Sequence, residues 1–176
     1  MKFKLQKTAL LEGLQSIQNV VSSHRPTIPV LANALIVADA KELTLTTTDM
    51  DITVRCTLEA EVSEEGSTTL PVKRFAGIIR EIPEGMLEIA VDEANVAHLR
   101  CGASYFKLIG LPADEFPPIP TGEGGLTYHC EKALFNDMLR KTHYAASADD
   151  LRIVLNGVLL NFNEGKLTCV ATDGRR

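Results

Sequence analysis

The sequence predicts an α+β protein that contains one complete domain and a second, truncated copy of it. Short runs of alternating apolar and polar residues, typical of half-buried strands, outnumber the helical patterns. Residues 28–52 recur without a gap as residues 152–176, and the identities include Thr48 with Thr172 and Asp49 with Asp173. A repeat of this length indicates a duplicated domain. A segment rich in proline and glycine, 110–125, lies between the copies, so we expect domains at 1–122 and 126–176.

The first domain begins with a short strand, 3–5, and an amphipathic helix, 7–21. The apolar residues of this helix recur at helical spacing on one face: Leu10, Leu11, Leu14, Ile17 and Val21. Pro26 and Pro29 end the helix and favour a stiff, extended loop. Strands are predicted next at 34–37, 42–47, 52–59 and 68–70, and the 52–59 run alternates most regularly.

A second helix is predicted at 72–81, because Pro71 suits the start of a helix. Its inward face is apolar and consists of Phe75, Ile78, Ile79 and Ile82. Its polar side carries Lys73, Arg74 and Arg80, and the seven-residue spacing of Lys73 and Arg80 places both on one face. Three further strands are predicted at 87–91, 96–101 and 105–108.

The pattern restarts after the proline- and glycine-rich segment. We expect a strand, a helix at 132–146, a polar loop, and two strands within 152–176. The polar face of this third helix includes Lys132 and Arg140. All three predicted helices therefore carry a basic outer face, whereas most acidic residues fall in strands and turns. If the helices cover one side of the sheets, that side is electropositive.

Composition limits the classes of function. The chain has a net charge of −5, is 45% hydrophobic, and has no apolar run of membrane-spanning length or signal-peptide pattern. Its four cysteines are scattered singly, which predicts buried cytosolic thiols rather than disulfides or a metal site. An acidic protein can still present one basic face, and lysine and arginine on helices would contact phosphates without reading bases.

No catalytic motif stands out. The chain has no phosphate-binding glycine loop, no GxSxG and no HExxH pattern. Asp49 and Asp173 recur in the repeat, which suits either a turn that bonds nearby backbone amides or a metal-dependent enzyme. The turn is the favoured interpretation, so we expect no catalytic residue, metal or cofactor.

Several stretches together resemble one family, the bacterial sliding clamp, or β subunit of DNA polymerase III. They are RPTIPVLANALI at 25–36, PVKRF at 71–75, LPADEFP at 111–117, LNG at 155–157 and ATDGRR at 171–176. The resemblance covers the whole chain. It implies a DNA-clamp (processivity) fold, with antiparallel sheets outside and basic helices on the inner face. The chain would then hold the first of three repeated domains and the first part of the second.

The resemblance implies two surfaces in the first domain. Arg25, Lys73, Arg74 and Arg80 would face DNA, and Lys132, Arg140 and Lys141 of the second copy would do so by helix position. Phe106 and Leu108, on a sheet edge, would lie in the interface of a homodimeric ring.

The second copy would supply one wall of a pocket for partner peptides. The residues that match this pocket in the family are Arg152, Leu155, Thr172, Gly174, Arg175 and Arg176, with Arg175 standing where the family usually has histidine. The implied partners are the polymerase III α subunit, the clamp loader and repair polymerases, all through short apolar motifs.

The function implied is not catalysis. A ring would enclose duplex DNA independently of sequence and tether the polymerase, as a cytoplasmic, nucleoid-associated protein. The alternative is a stand-alone module, derived from the clamp fold, that binds nucleic acid or peptides.

Overall fold

The computed structural model describes residues 1–21, 28–119 and 126–176. The chain divides into two compact units, Met1–Thr121 and Gly122–Arg176, which are described separately.

Unit 1 contains nine strands and two α-helices within its described residues. The helices are α1, Lys7–Ile17, and α2, Val72–Glu81, the latter with the bounds that the sequence predicts. The strands are β1 Lys2–Gln6, β2 Asn33–Asp39, β3 Glu42–Thr48, β4 Thr53–Glu59, β5 Glu61–Glu64, β6 Gly66–Pro71, β7 Met86–Val91, β8 Val96–Cys101 and β9 Ser104–Ile109.

The strands form two antiparallel sheets. One has the order β5-β1-β7-β8-β9 and the other the order β4-β3-β2-β6. The chain passes from one sheet to the other at Ala60, the single residue between β4 and β5. Strand β5 is not among the strands predicted from the sequence, because only its pairing with β1 makes this short polar segment a strand.

The core of unit 1 lies between the sheets and the two helices. Phe3, Leu14, Leu45, Phe75 and Ile89 are among its fully buried side chains, and each contributes about 1.5–3 kcal/mol of hydrophobic stabilisation. The helices pack against each other, and α1 also packs on β3 and β4. This predicted amphipathic helix is confirmed, although it ends at Ile17 and not at residue 21.

A glycine lets α1 approach the sheet closely. A Cβ on Gly13 would lie 2.8 Å from Leu58 Cδ1 and 3.3 Å from Leu45 Cδ1. Any larger residue at Gly13 would therefore push α1 away from β3 and β4 or displace these leucines.

The expectation of a basic outer face is wrong for α1. Its one cation, Lys7, is buried, and its Nζ donates to Glu84 Oε1 at 3.0 Å. The long aliphatic stem packs in the interior while the ammonium group reaches the exposed carboxylate. The basic helix faces are those of α2 and α3.

The start of the predicted linker belongs to unit 1. The backbone of Leu111 exchanges hydrogen bonds with Thr69 of β6, and Phe116 is buried. Gly110 permits this approach, because a Cβ there would lie 2.2 Å from the carbonyl oxygen of Thr69.

Unit 2 contains helix α3, Lys132–Thr142, and a hairpin of β10, Leu159–Asn163, and β11, Lys166–Val170. A 3-10 turn, His143–Ala145, replaces the end of the longer helix that the sequence predicts. The strand expected before α3 is absent from 126–131. The hairpin confirms the two predicted strands, and its turn repeats that of β2 and β3, since Ala40 and Glu164 both have a φ of 48°.

The described side chains of unit 2 include none that is fully buried. Large apolar residues are exposed on it, and Val154 and Leu151 are more than nine-tenths exposed. Of the helices in the described ranges, none combines the length and apolarity needed to cross a bilayer.

Candidate nucleic-acid interface and partner-docking surfaces

The polar face of α2 presents three cations. Val72, Phe75, Ala76 and Ile79 bury the opposite face of the helix in the unit 1 core. This packing fixes Lys73, Arg74 and Arg80 on the exposed side. Within the described part of the chain, neither arginine takes part in an ion pair. Their charges are therefore available to an external anion.

The positions of these cations along α2 differ in their effect on the helix. Arg80 lies in the last turn, where a positive charge interacts favourably with the helix dipole. Lys73 and Arg74 lie in the first turn, where the exposed amides already carry partial positive charge. Helix stability therefore favours Arg80 but not the first two. All three cations at one face suit the binding of phosphates.

Four other residues are predicted to contact DNA: Arg25, Lys132, Arg140 and Lys141. Arg25 lies outside the described residues. On α3, Lys132 and Arg140 are exposed, whereas Lys141 Nζ lies 2.7 Å from Asp137 Oδ2 one turn earlier. That i,i+4 pair satisfies part of the charge of Lys141.

Strand β9, which carries Phe106 and Leu108, is an edge strand, as the family resemblance implies. Phe106 is partly exposed on it, but Leu108 is buried in the unit 1 core. Leu108 therefore packs strand β9 onto the core, and Phe106 is the residue of the predicted pair that presents apolar surface to solvent. Ile109, at the end of the strand, is also exposed.

Asp49 and Asp173 hold two copies of the same turn. Asp49 Oδ1 accepts the amides of Asp51 and Ile52 at 3.1 and 2.7 Å, and Asp173 Oδ1 accepts those of Arg175 and Arg176 at 2.9 and 3.1 Å. The turn interpretation of these carboxylates is thereby confirmed.

The threonine before each aspartate repeats as well. Thr48 Oγ1 accepts the Met50 amide at 3.1 Å, and Thr172 Oγ1 accepts the Gly174 amide at 3.0 Å. Met50 has a φ of 83° and Gly174 one of 82°. Positive φ values of this size favour glycine. Gly174 therefore fits its turn without strain, whereas Met50 adopts the same backbone conformation at a cost in conformational free energy.

The turn at Asp173 also fixes Arg176. Its Nε lies 3.1 Å from Asp173 Oδ2, and its Nη2 donates to the Tyr144 carbonyl at 3.1 Å. The amide of Arg175, assisted by the amide and guanidinium of Arg176, holds the pKa of the Asp173 carboxyl below its usual range. Asp173 is therefore a structural anion of the turn.

The six predicted pocket residues line two depressions of unit 2. The first, which we name the arginine cleft, has a volume of about 750 Å³ and is lined by Ala146, Ser147, Ala148, Asp149, Arg152, Asp173, Gly174, Arg175 and Arg176. The second, named the apolar groove, has a volume of about 360 Å³ and is lined by Val154, Leu155, Gly157, Val158, Leu159, Val170, Ala171 and Thr172. The three arginines of the predicted set and Gly174 thus line the first depression, and Leu155 and Thr172 line the second.

Two residues that shape the arginine cleft, Asp149 and Asn156, are not among the candidates predicted from the sequence. Asp149 Oδ1 accepts the Leu151 amide at 3.0 Å, which starts the 3-10 stretch Asp150–Leu155. The side-chain amide nitrogen of Asn156 faces three carbonyl oxygens. In this orientation it donates to the carbonyls of Ser147, Asp149 and Arg152 at 3.1–3.2 Å. An aspartate directly before a helical turn is a recognisable cap. No sequence pattern predicts the hydrogen bonds of Asn156 to these three carbonyl groups.

In the described ranges, histidine, cysteine and acidic side chains do not gather in threes that could hold a metal ion. The four cysteines are free thiols, but only Cys101 is buried. The prediction of burial is wrong for Cys130, which is exposed, and for Cys56 and Cys169, which are half-buried.

Comparisons with known proteins assign both units. Residues 1–120 match the DNA polymerase III beta subunit, N-terminal domain, and residues 129–176 match the central domain of the same subunit. The beta sliding clamp of Chlamydia muridarum is 37% identical over 176 residues, which are 100% of this chain and 48% of the relative. The chain thus spans about half the length of the curated relatives that it matches.

Solved structures agree with these matches. The Bacillus subtilis DNA polymerase sliding clamp superposes with a TM-score of 0.92 at 32% identity, over 98% of this chain and 47% of the clamp. A Pseudomonas aeruginosa sliding clamp bound to griselimycin gives a TM-score of 0.92 at 35% identity, over 99% of this chain and 47% of that protein. The duplicated turn, the two antiparallel sheets and these matches lead to one conclusion: the chain belongs to the DNA polymerase III beta subunit family.

Proposed function

We propose that the chain provides the DNA-facing helices and part of the partner-docking surface of a sliding clamp. The whole protein would form a ring around duplex DNA, tether the replicative polymerase and so raise its processivity, without catalysing a reaction itself. Such a protein would act in the cytoplasm, at the nucleoid. The observation that carries the proposal is the exposed basic face of α2 in a chain of this family.

The composition of the α2 face favours sequence-independent contact with DNA. Lys73 and Arg80 are separated by seven residues, which is about 10 Å along a helix. Long, flexible cations at this spacing can follow the phosphates of a backbone, but they carry no arrangement of donors that selects one base. Contacts of this kind permit sliding, because every register along the duplex is nearly equivalent.

Edge strand β9 supports the assembly of the ring. Its unpaired backbone groups and the exposed Phe106 suit addition of a strand from a second copy of the protein. We propose that this edge forms the homodimer interface, with Leu108 stabilising the strand from the core side.

The two depressions of unit 2 support the docking of partners. The apolar groove would bury the apolar anchors of a short peptide, and a few such anchors carry most of the affinity of an interface. We propose the polymerase α subunit, the clamp loader and repair polymerases as the proteins that bring these peptides. Once a clamp encloses DNA, rebinding of a tethered polymerase becomes intramolecular, at an effective concentration of about 1 mM for a short flexible link.

The experiment that tests the DNA-binding proposal compares two labelled 30-base-pair duplexes of unrelated sequence by fluorescence anisotropy. We expect equal dissociation constants and a linear fall of log affinity with log salt concentration. A marked preference for one duplex, or an affinity that salt does not change, would contradict the proposal.

A further inference from the structure

The outer face of the five-stranded sheet of unit 1 is basic and carries two aromatic rings. Side chains alternate between the two faces of a strand, and Leu99 of β8 and Leu108 of β9 are buried in the core. The side chains on either side of these leucines therefore point outward, and they include His98 and Tyr105. The charged side chains of this outer face on β1, β7, β8 and β9 are Lys2, Lys4, Glu88, Arg100 and Lys107.

A series of hydrogen bonds fixes both rings. Asp92 Oδ1 accepts the amides of Ala94 and Val96, each at 2.9 Å. The other carboxylate oxygen, Oδ2, lies 3.2 Å from His98 Nε2, and His98 Nδ1 lies 2.7 Å from Tyr105 Oη. A neutral imidazole that donates from Nε2 to the carboxylate accepts at Nδ1, so the tyrosine hydroxyl donates to His98. Both rings are thus held in position before any ligand binds.

The two rings form one flat surface. Their planes differ by 18°, and the hydrogen bond joins the edge of one ring to the hydroxyl of the other. His98 and Tyr105 therefore lie side by side, and we name the pair the aromatic platform. Tyr105 is 46% exposed. The platform lies in a depression of about 390 Å³, which Lys2, Glu88 and Arg100 also line.

Cations surround the aromatic platform. Arg100 Cζ lies 5.4 Å from the centre of the tyrosine ring, and Lys107 Nζ lies 6.0 Å from it. Within the described part of the chain, neither of these two cations forms an ion pair. Lys2 and Lys4 share a single carboxylate, that of Glu88, at 2.9 and 3.9 Å. The face around the platform therefore carries more positive charge than its own carboxylate balances.

A flat aromatic surface with cations at its rim suits single-stranded nucleic acid. An unpaired base stacks on an aromatic ring through its π-face, while lysine and arginine pair with the phosphates on either side of it. In a duplex, each base is stacked between its neighbours and does not offer this face. An acidic polypeptide would pair with the cations but would leave the platform unused.

We propose that the aromatic platform, together with Arg100 and Lys107, binds a single-stranded segment of nucleic acid on the outer face of unit 1. The site goes beyond the proposed function, which assigns duplex DNA to the α2 face. Tyr105 lies on the side of its sheet turned away from the core, whereas α2 packs on the core. Addition of a partner strand at the β9 edge would extend the sheet in its own plane, so the outer face stays accessible.

The first test exploits the absence of tryptophan from the chain. Tyr105→Trp introduces one indole ring at the aromatic platform, and a base that stacks on this ring quenches its fluorescence. The probe is an oligothymidylate of about 12 nucleotides, within the usual site size of single-strand binders. We expect quenching by this strand, but not by an abasic strand of equal length or by a blunt duplex. The control is Tyr128→Trp at an exposed tyrosine of unit 2, whose emission should not change.

The second test measures the affinity of the labelled oligothymidylate by fluorescence anisotropy. Tyr105→Leu should weaken binding about fivefold or more, because a stacked base loses its ring, whereas Tyr105→Phe retains the ring and should weaken binding less. Lys107→Gln should make the slope of log affinity against log salt concentration less negative by about 0.7. Lys166→Gln removes the same charge from the exposed start of β11 and should leave the slope unchanged.

The opposite results would overturn the inference. An affinity that is equal for Tyr105→Leu and the unchanged chain, or equal for the abasic strand and oligothymidylate, would show that no base stacks on the platform. Poly-glutamate that binds as tightly as oligothymidylate, and equally to Tyr105→Leu, would identify a site for acidic polypeptides instead.

Arg80→Gln separates this site from the α2 face. It should weaken duplex binding and leave the quenching of Tyr105→Trp by oligothymidylate unchanged. Loss of that quenching in the double variant would show that α2 holds the single strand, and the inference would be wrong. Failure of the duplex to bind, with quenching retained, would refute the DNA-binding proposal for α2 and support the platform.

Discussion

Replacement of Arg80 by glutamine tests the assignment of the α2 face to DNA. Arg80 is exposed in the last turn of the helix and, within the described residues, forms no ion pair. Arg80→Gln therefore removes one charge while retaining length and polarity. The matched control is Arg55→Gln, because Arg55 is an exposed arginine of β4 that also lacks an ion pair in the described ranges.

The magnitude follows from the release of counterions. Each phosphate contact contributes about −0.9 to the slope of log affinity against log salt concentration for duplex DNA. Loss of the Arg80 contact should thus make the slope less negative by about 0.9. Referred to 1 M salt, this is a loss of affinity of about 15-fold at 0.05 M and about fourfold at 0.2 M.

The assay is fluorescence anisotropy of a labelled duplex at four or more salt concentrations. They lie between about 0.05 and 0.2 M, the range over which the loss of affinity was calculated above. Arg55→Gln changes the net charge equally, so it should leave the slope unchanged and shift the affinity only slightly. Equal effects of the two variants would show that net charge, and not the α2 face, governs binding. An unchanged slope in Arg80→Gln would refute the contact itself.

Three further predictions concern stability and the turn of unit 2. Leu14→Ala should destabilise unit 1 by about 2–5 kcal/mol in urea unfolding, because Leu14 is fully buried, whereas Gln15→Ala on the exposed side of α1 should change little. Gly110→Ala should cost about 1–3 kcal/mol by the same measurement, since its Cβ meets the Thr69 carbonyl; an unchanged midpoint would contradict that contact. The lowered pKa of Asp173 means that the stabilisation from its ionised carboxyl group is complete above the usual aspartate pKa and is lost as pH falls through the folded value. The protection factors of the Arg175 and Arg176 amides, which compare exchange with the intrinsic rate at each pH, should therefore fall on acidification, and Asp173→Asn should remove that dependence.

The sequence predicts those elements whose local pattern and tertiary environment agree. Helix α2 has the predicted bounds because Pro71 starts it and Phe75, Ile79 and Ile82 meet the core at helical spacing. The hairpin of unit 2 was likewise predicted, because its counterpart in unit 1 carries the same pattern.

Features that depend on distant partners could not be predicted. Strand β5 forms only because β1 lies beside it. Lys7 is polar in any local pattern, yet Glu84, distant in sequence, allows it to be buried. Apolar Leu108 was predicted for an interface, but the core of its own unit covers it.

In the candidate site, too, local features are predictable and distant contacts are not. The motif at residues 171–176 identifies the side chains, but it does not show which of them bind other residues of unit 2. Arg175 and Arg176 are adjacent and chemically identical, yet only Arg176 is held by Asp173 and Tyr144. Which of the two guanidinium groups is engaged within unit 2 depends on the three-dimensional arrangement and is not visible in the sequence.

The duplicated turn has a consequence for how such a protein can diversify. Its backbone is held mainly by one threonine hydroxyl and one aspartate carboxylate, both of which bond to main-chain amides. The three residues that follow differ completely between the copies, Met50, Asp51 and Ile52 in one and Gly174, Arg175 and Arg176 in the other, although these hydrogen bonds are retained. Because the turn occurs twice, a single chain can present two different sets of side chains on the same backbone conformation.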